Sequence, residues 1–427
     1  MNEEHDRRDF LKIGAAAGAA WAIGQESFAA DASDVKARPM DRIRVGFVGI
    51  GSRGSLLVRI LLDLQGVEVK AVCDIVEERV VKAQEMVTAA GQPKPNGYSR
   101  GETDFQRLCE TEELDLVVNA VRPWKWHVPI SVAAMTNGKH AATEVPAAET
   151  VEECWQLVDT AEKTRKYCVI LENCCYFRNV MLIHNMLRKG VFGQLRHCEA
   201  GYQHYGRSRF GTPPRPGSPS RPKDAKARTA NSYPTHPIGP IAQWMDVNRG
   251  NRFDYLVSMS ADGTRGNRDA DINTSLIRTV NGQTVTLYYD TKLPRPYDLI
   301  YRVQGTQGIY MATLDKVFIE GRSPKPDTWE PIDEYYKEFE NPLWKAWGEK
   351  ALTRGGHGGG DWMTIYRLIK ALRTGTPPDI DVYDSATWSC ITELSEKSVA
   401  SRSSPMDFPD FTRGRWKTAP PIGVIGV

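Results

Sequence analysis

The sequence predicts an α/β domain built on a doubly wound, mostly parallel sheet, followed by an α+β domain with a large, mostly antiparallel open sheet. Three observations lead there. A strand-like run enters a glycine-rich turn and then a helix between residues 43 and 64. Strand-like and helix-like segments alternate up to residue 171, and from residue 195 the pattern changes to consecutive strands. A chain of 427 residues has room for two folded domains.

The first element is the most informative. Ile43-Arg44-Val45-Gly46-Phe47-Val48 is β-rich and leads into Gly49-Ile50-Gly51-Ser52-Arg53-Gly54; residues 55–64 read as an apolar helix and 67–72 as a second strand. Asp74 lies just beyond that strand, 20 positions after Gly54. In such a unit Gly49 permits the tight turn, Gly51 lets the backbone approach a pyrophosphate, and Gly54 allows close helix–strand packing. The helix N-terminus offers unpaired N–H groups to the phosphates, with Ser52 and Arg53 in its first turn. Asp74 can accept hydrogen bonds from the adenosine ribose and repels a 2′-phosphate, which favours NAD over NADP. Glycines alone are weak evidence; between strand and helix, with the acid at this distance, they are strong.

The alternation continues with a buried strand at 114–120, a helix at 128–137, a short strand at 139–144, a helix at 151–166 opened by Thr150 as N-cap, and a strand at 168–171. Ligand contacts in such sheets cluster beyond the strand C-termini. That rule gathers Trp124, Trp126 and His127, then Glu144 and Val145, and then Asn173 around one crevice. Strands are expected in the second half at 195–202, 253–259, 273–279, 284–289, 299–304, 308–311 and 316–319, with late helices at 361–373 and 382–398. Residues 207–228 are rich in Pro, Arg and Ser without hydrophobic periodicity and read as a long loop. The domain division that follows is 40–168 for the Rossmann unit and 169–427 for the second domain, whose last helices pack back on the first.

Residues 1–32 form a separate segment. Arg7-Arg8-Asp9-Phe10-Leu11-Lys12 precedes a modestly apolar run, then Ser27-Phe28-Ala29 and Ala30-Asp31-Ala32. This is the pattern of a twin-arginine export signal, which predicts a periplasmic or extracellular destination. A dinucleotide has no dependable supply there, so an exported Rossmann protein must load its cofactor first and keep it. The formal net charge of +2 leaves no excess of Lys and Arg for a nucleic-acid surface or a polybasic membrane anchor. No later segment is apolar over the roughly 20 residues a membrane-spanning helix needs. The eight cysteines contain no C-x-x-C pair and no His spacing typical of zinc, so neither a disulfide framework nor a metal site is expected.

Further motifs run in order through nearly the whole mature chain. They include Thr103-Asp104-Phe105, Trp124-Lys125-Trp126-His127, Glu144-Val145-Pro146-Ala147-Ala148 and Glu172-Asn173. Later come Tyr233-Pro234-Thr235-His236, Pro294-Arg295-Pro296-Tyr297, Gly355-Gly356-His357-Gly358-Gly359 and Asp381-Val382-Tyr383-Asp384. Together they resemble the glucose–fructose oxidoreductase / inositol dehydrogenase superfamily, and within it glycoside hydrolase family 109, the NAD-dependent α-N-acetylgalactosaminidases. The dehydrogenases of that superfamily usually carry Glu-Lys-Pro where this chain has Glu144-Val145-Pro146, and a valine cannot carry a proton. The chain departs from the glycosidase branch too: the segment before Tyr233 is not rich in Trp and His, and residues 260–273 form a short stretch.

The resemblance implies a redox-assisted hydrolysis. Bound NAD takes a hydride from C3 of the sugar, a base removes the acidified C2 proton, the C1 substituent leaves, water adds, and the hydride returns. NAD is tightly held and recycled, and a glycoside is the substrate. His236 is the first candidate for proton transfer, because imidazole titrates near neutral pH, and Tyr176 is the second. Tyr202, Arg221, Tyr233, Thr235, His236 and Tyr297 are expected to hold the sugar; Glu144 is expected to hold sugar hydroxyls or the nicotinamide ribose. Two alternatives stand beside this reading: a sugar dehydrogenase that releases a keto-sugar, and a non-catalytic protein that binds NAD and sugar. Homo-oligomerisation is a further implication of the resemblance.

Overall fold

The computed structural model describes residues 38–205, 229–261 and 270–427. The export segment, the loop at 207–228 and Arg221 lie outside the described residues.

Six parallel strands form the first sheet: β1 Ile43–Val48, β2 Val67–Cys73, β3 Asn96–Tyr98, β4 Leu116–Asn119, β5 His140–Thr143 and β6 Cys168–Ile170. Their order is β3-β2-β1-β4-β5-β6. β4 and β5 are buried at every position, as parallel strands covered on both faces must be. The crossovers carry helices α1 Ser52–Leu62, α2 Glu77–Ala89, α3 Asp104–Thr111, α4 His127–Thr136 and α5 Val151–Thr164. Helix α5 starts where the sequence places its cap: the Thr150 hydroxyl accepts from the Glu153 N–H, and the Glu153 side chain caps in return. β1 pairs with β2 on one side and β4 on the other. The chain therefore winds away from β1 in opposite directions, and a crevice opens beyond the carboxyl ends of β1 and β4.

The second sheet has nine strands: β7 Leu195–Gln203, β8 Phe253–Ala261, β9 Ile272–Thr279, β10 Thr284–Asp290, β11 Arg302–Gly305, β12 Gly308–Met311, β13 Lys316–Ile319, β14 Glu330–Pro331 and β15 Met406–Asp407. Their order is β14-β13-β12-β11-β7-β10-β9-β8-β15. Every pairing is antiparallel except β7 with β10, so the sheet is mixed. Between β6 and β8 lie helices α6 Arg178–Arg188 and α7 Thr235–Trp244. After β14 come α8 Asp333–Phe339, α9 Pro342–Arg354, α10 Gly360–Thr374, α11 Val382–Ser389 and α12 Ile391–Ala400. The single helix expected at 382–398 is two helices that meet at Cys390.

The last helices join the two sheets. α12 lies on β8, while α11 packs against α5 and β6, and α10 against α1. The contacts are specific: the Ala147 N–H donates to the Ser389 hydroxyl (3.1 Å) and the Ile170 N–H to the Ser385 hydroxyl (3.0 Å). The carboxyl edge of the parallel sheet is thus walled partly by residues from the far end of the chain. Among the described residues no helix is long and apolar enough to cross a membrane.

All eight cysteines are unpaired and buried. Thiols this inaccessible escape oxidation even in an oxidising compartment, because the thiolate is the reactive form and it is disfavoured in an apolar interior. The native protein should therefore show no fast reaction with a thiol reagent such as DTNB, and all eight thiols should react once it is denatured. A rapidly reacting thiol in the native state, or fewer than eight after denaturation without reductant, would contradict this arrangement.

Candidate active site

The glycine turn has the shape its spacing implies. Gly49 has φ +90°, and a Cβ there would lie 2.8 Å from the Val121 nitrogen. A Cβ on Gly54 would lie 1.9 Å from the Gly49 carbonyl oxygen. Gly51 is different: a Cβ there would meet nothing within 4 Å. The backbone at Gly51 faces open space, as it must for a phosphate to approach. Helix α1 begins there without a side-chain cap and without an acid in its first turn. Its leading N–H groups are therefore available to an anion. Asp74 is buried at the end of β2, where it accepts from the Ile50 N–H (2.7 Å) and the Val76 N–H (2.9 Å). The carboxylate that would meet the ribose thus also braces the turn that would meet the phosphates. Residues 49–54 and Asp74 fit a dinucleotide.

The loops after β4 and β5 form the next wall. His127 is fully buried, with Nδ1 2.6 Å from the Pro146 carbonyl oxygen and Nε2 2.8 Å from that of Val121. Burial pushes its pKa down, against the pull of the two carbonyls. Both nitrogens face backbone carbonyls, of which a neutral imidazole can hydrogen-bond only one, so His127 packs between the two loops rather than reaching a ligand. Trp126 likewise packs edge-on against Phe105 (5.9 Å between centroids). These two positions, expected at the cofactor, support its walls instead. Trp124 does turn toward the pocket, stacking on Tyr233 at 5.7 Å. Val145 is buried in the wall.

Arg53 crosses the crevice between two carboxylates. Its guanidinium donates to Glu144 (2.8 Å) and to Asp361 (2.5 Å). Burial opposes the charge, but Glu144 and Asp361 outweigh it and raise the Arg53 pKa. Asp361 also accepts from the Asn173 amide (2.6 Å) and lies 2.9 Å from His357 Nδ1. Burial opposes its charge as well, yet the His357 and Arg53 donors hold the carboxyl well below the usual carboxylate range.

Beside this network lies an aromatic pocket. Tyr202 from the end of β7, Tyr233 before α7 and His236 in its first turn are mutual neighbours, with ring centroids 4.7 Å (Tyr202–Tyr233), 5.0 Å (Tyr233–His236) and 5.7 Å (Tyr202–His236) apart. Tyr297 stands edge-on to Tyr202 at 6.2 Å and is 53% exposed, at the rim. Burial pushes the Tyr233 phenol up, so it stays a neutral hydrogen-bond group. His236 Nδ1 is 2.7 Å from Oε1 of Glu172, a carboxylate with no exposed surface. The Tyr301 hydroxyl fixes the His236 carbonyl (2.7 Å). Nε2 has no hydrogen-bond partner among the described residues and is left for a ligand. Glu172, Cys174 and His236 also form a cluster of three potential metal ligands. The 2.7 Å contact within it is a hydrogen bond between His236 and Glu172.

Two expected positions are placed otherwise. Tyr176 follows Asn173 in a single tight turn, but its hydroxyl points away and donates to Asp379 (3.1 Å), the partner of Arg367. Burial and Asp379 drive its pKa up, opposite to what a proton-transfer phenol needs. Thr235 is fully buried, and its hydroxyl has no partner among the described residues.

Comparisons with known proteins agree with this geometry. The "Oxidoreductase family, NAD-binding Rossmann fold" matches residues 43–171, and "Glycosyl hydrolase 109, C-terminal domain" matches 176–270 and 264–418. A "Glycosyl hydrolase family 109 protein" of Solibacter usitatus is 41% identical over 441 aligned positions, covering 98% of this chain and 100% of its own. One from Shewanella pealeana is 42% identical over 407, covering 91% and 89%. The chain belongs to glycosyl hydrolase family 109. It is a glycoside hydrolase with an NAD-binding Rossmann domain. The twin-arginine translocation signal matches residues 4–24, so the glycosidase is exported. Its fold is shared with solved oxidoreductases. An oxidoreductase domain protein from Kribbella flavida has a TM-score of 0.70 at 17% identity, covering 87% of this chain and all of that one. Levoglucosan dehydrogenase in complex with NADH and levoglucosan gives 0.67 at 18% identity, covering 86% and 100%.

Glu172, quoted in the sequence only as part of a motif, and Asp361 are carboxylates of the candidate site to which the sequence reading gave no role. The available signal for Glu172 was its place immediately after a buried parallel strand, on the edge where ligands gather. Asp361 follows the glycine cluster 355–360, whose tightness has its cause there: a Cβ on Gly356 would lie 2.4 Å from Asp361 Oδ2. If His236 transfers a proton and Glu172 orients it, His236→Ala should lower kcat by about 10²–10⁴-fold. Glu172→Gln, which keeps a hydrogen bond but not the charge, should lower kcat with little change in KM. Steady-state kinetics on a single glycoside checks both, and an undiminished kcat in His236→Ala would remove it from the chemistry.

Proposed function

We propose that this family 109 protein is an exported glycosidase of the α-N-acetylgalactosaminidase kind, which holds one NAD tightly and recycles it within each turnover. The observation that carries the proposal is the pairing of a buried Glu172 with His236 in an aromatic pocket, in a chain that has Val145 where a proton-carrying lysine would stand in the dehydrogenases. Gly49, Gly51, Ser52, Gly54 and Asp74 would hold the dinucleotide, with Glu144, Val145 and Asn173 along its nicotinamide half, while Arg53, its guanidinium occupied by two carboxylates, would close the crevice beside it. NAD, when bound, supplies a reversible hydride acceptor for a sugar carbinol, converting it to a ketone that acidifies the neighbouring C–H.

The chain's own residues account for the remaining steps. Glu172 fixes the His236 ring through Nδ1, so Nε2 is the atom offered to the sugar. His236 takes the C2 proton, the electron pair becomes the C1–C2 double bond, and the C1–oxygen bond breaks. The leaving oxygen takes a proton from water, whose hydroxide adds at C1 as the proton held by His236 returns to C2; once C3 is reduced again by the stored hydride, the net reaction is hydrolysis. Tyr202, Tyr233 and Trp124 offer flat apolar faces for the sugar ring with phenol groups at the edges. Glu144, which accepts from Arg53, can also accept hydrogen bonds from sugar hydroxyls.

Purified protein should cleave aryl glycosides with no added NAD, and in heavy water the released sugar should carry deuterium at C2. Cleavage without deuterium at C2 would sink the elimination route; stoichiometric keto-sugar without cleavage would instead identify a sugar dehydrogenase. The outer face of the nine-stranded sheet supports self-association. Met259 and Leu276 are 67% and 46% exposed on it, and Val257 stands opposite Leu276. Light scattering should find an oligomer, and Leu276→Asp should dissociate it.

A further inference from the structure

We infer that Asp361 is a latch: through Arg53 and Asn173 it locks the walls of the dinucleotide crevice and so sets how slowly the nucleotide leaves. The inference rests on the reading that the protein retains NAD. Asp361 acts through other side chains and is therefore a positioning residue, not a catalytic one.

The argument begins with Arg53. A cation in the first turn of α1, beside the open backbone at Gly51, would ordinarily be assigned to the phosphates. Here it is already neutralised twice over, by Glu144 at 2.8 Å and by Asp361 at 2.5 Å. Its fork is spent on closure. Glu144 follows β5, and Arg53 follows the turn after β1. Asn173, which donates to the same Asp361 carboxylate at 2.6 Å, follows β6. Three segments that end at the carboxyl edge of the sheet are therefore cross-linked there, and Asp361, from α10 in the last third of the chain, joins two of them.

These links cannot open one at a time at low cost. The Asp361 side chain has no exposed surface, so any donor that withdraws leaves a buried charge less compensated. The packing has no slack. A Cβ on Gly360 would lie 2.7 Å from the Phe177 ring and 2.9 Å from the Asn173 carbonyl oxygen, and one on Gly356 would meet Asp361 itself. Release of a ligand from such a crevice requires a local opening of its walls, and the rate of that opening falls with each interaction it must break. The latch also explains why loading must precede export: the residue that closes the crevice reaches it only when the C-terminal helices have folded onto the Rossmann domain.

The test is nucleotide retention, measured on full-length protein. Wild type, Asp361→Asn and Arg53→Lys are saturated with NAD and dialysed, and residual NAD is quantified at intervals after denaturation. Asparagine keeps the shape of Asp361 but removes its charge; lysine keeps the charge of Arg53 but lacks the planar fork that spans both carboxylates. Both variants should lose nucleotide about ten- to a hundredfold faster than wild type. His357→Ala removes one partly exposed donor and should fall between wild type and these variants, and it keeps the test available if Asp361→Asn does not fold. Release at the wild-type rate from Arg53→Lys and His357→Ala overturns the latch. A wild type that sheds NAD as fast as the variants overturns both the latch and the retention reading. Slow release from a wild type that cleaves no glycoside leaves the latch standing and removes only the hydrolytic role.

Discussion

The approach of Gly54 to the Gly49 carbonyl sets the geometry of everything at the carboxyl edge of the parallel sheet. There is no room for a Cβ between them, so α1 can start against the end of β1 only with glycine at that position. Given that contact, the backbone at Gly51 is turned outward and the first turn of α1 is aimed at the crevice between β1 and β4. Arg53 is then carried to a fixed place over the edge. Asp74 closes the arrangement by accepting the Ile50 N–H from the next strand. A small steric constraint thus decides where a dinucleotide can lie and which side chains stand around it.

Around that edge the protein uses buried charge rather than apolar contact to join segments distant in sequence. Arg53 and Asp361 are 308 positions apart, and Asn173 and Asp361 are 188 apart. A hydrophobic joint would tolerate sliding; an arginine fork between two carboxylates does not, because its geometry is directional. Such pairs need not add to stability, since desolvation offsets much of the attraction. What they provide is a fixed relation between the cofactor turn and the C-terminal helices. His127 joins the loops after β4 and β5 locally by packing, with one ring nitrogen able to donate to a backbone carbonyl.

The sequence discloses most of the backbone and less of the site, for a physical reason. Strand and helix periodicities and the glycine turn are local signals, and they locate β1, β2, β12 and β13 to within a residue. The parallel pairing of β7 with β10 is not local; nothing within either strand states its partner. The same holds for side-chain direction. Tyr176 is three positions from Asn173, which suggests a shared crevice, but the tight turn at Asn173–Tyr176 rotates its hydroxyl toward Asp379, 203 positions away. His236 was legible as a titratable group within a motif. Glu172, 64 positions away, becomes its partner only when β6 and α7 are brought together.

The pairing of His236 with Glu172 bears on why a dehydrogenase-like fold can serve hydrolysis. Alcohol oxidation needs a group that takes the hydroxyl proton as hydride leaves, and a lysine after the glutamate of the β5 loop is suited to it. Val145 is buried in that loop and can take no proton. The group proposed to handle the proton, His236, stands instead on α7, backed by a carboxylate and facing tyrosines. An imidazole oriented through Nδ1 presents a single base at Nε2 and, once protonated, a single acid at the same point. That suits a cycle in which a carbon-bound proton is removed and later restored on one sugar. It also requires that the nucleotide stay in place between the two events. In the proposed cycle the charged joint at Arg53 and the neutral loop at Val145 are complementary: one would keep the redox partner in the crevice, and the other lacks the proton carrier that would make oxidation the end of the reaction.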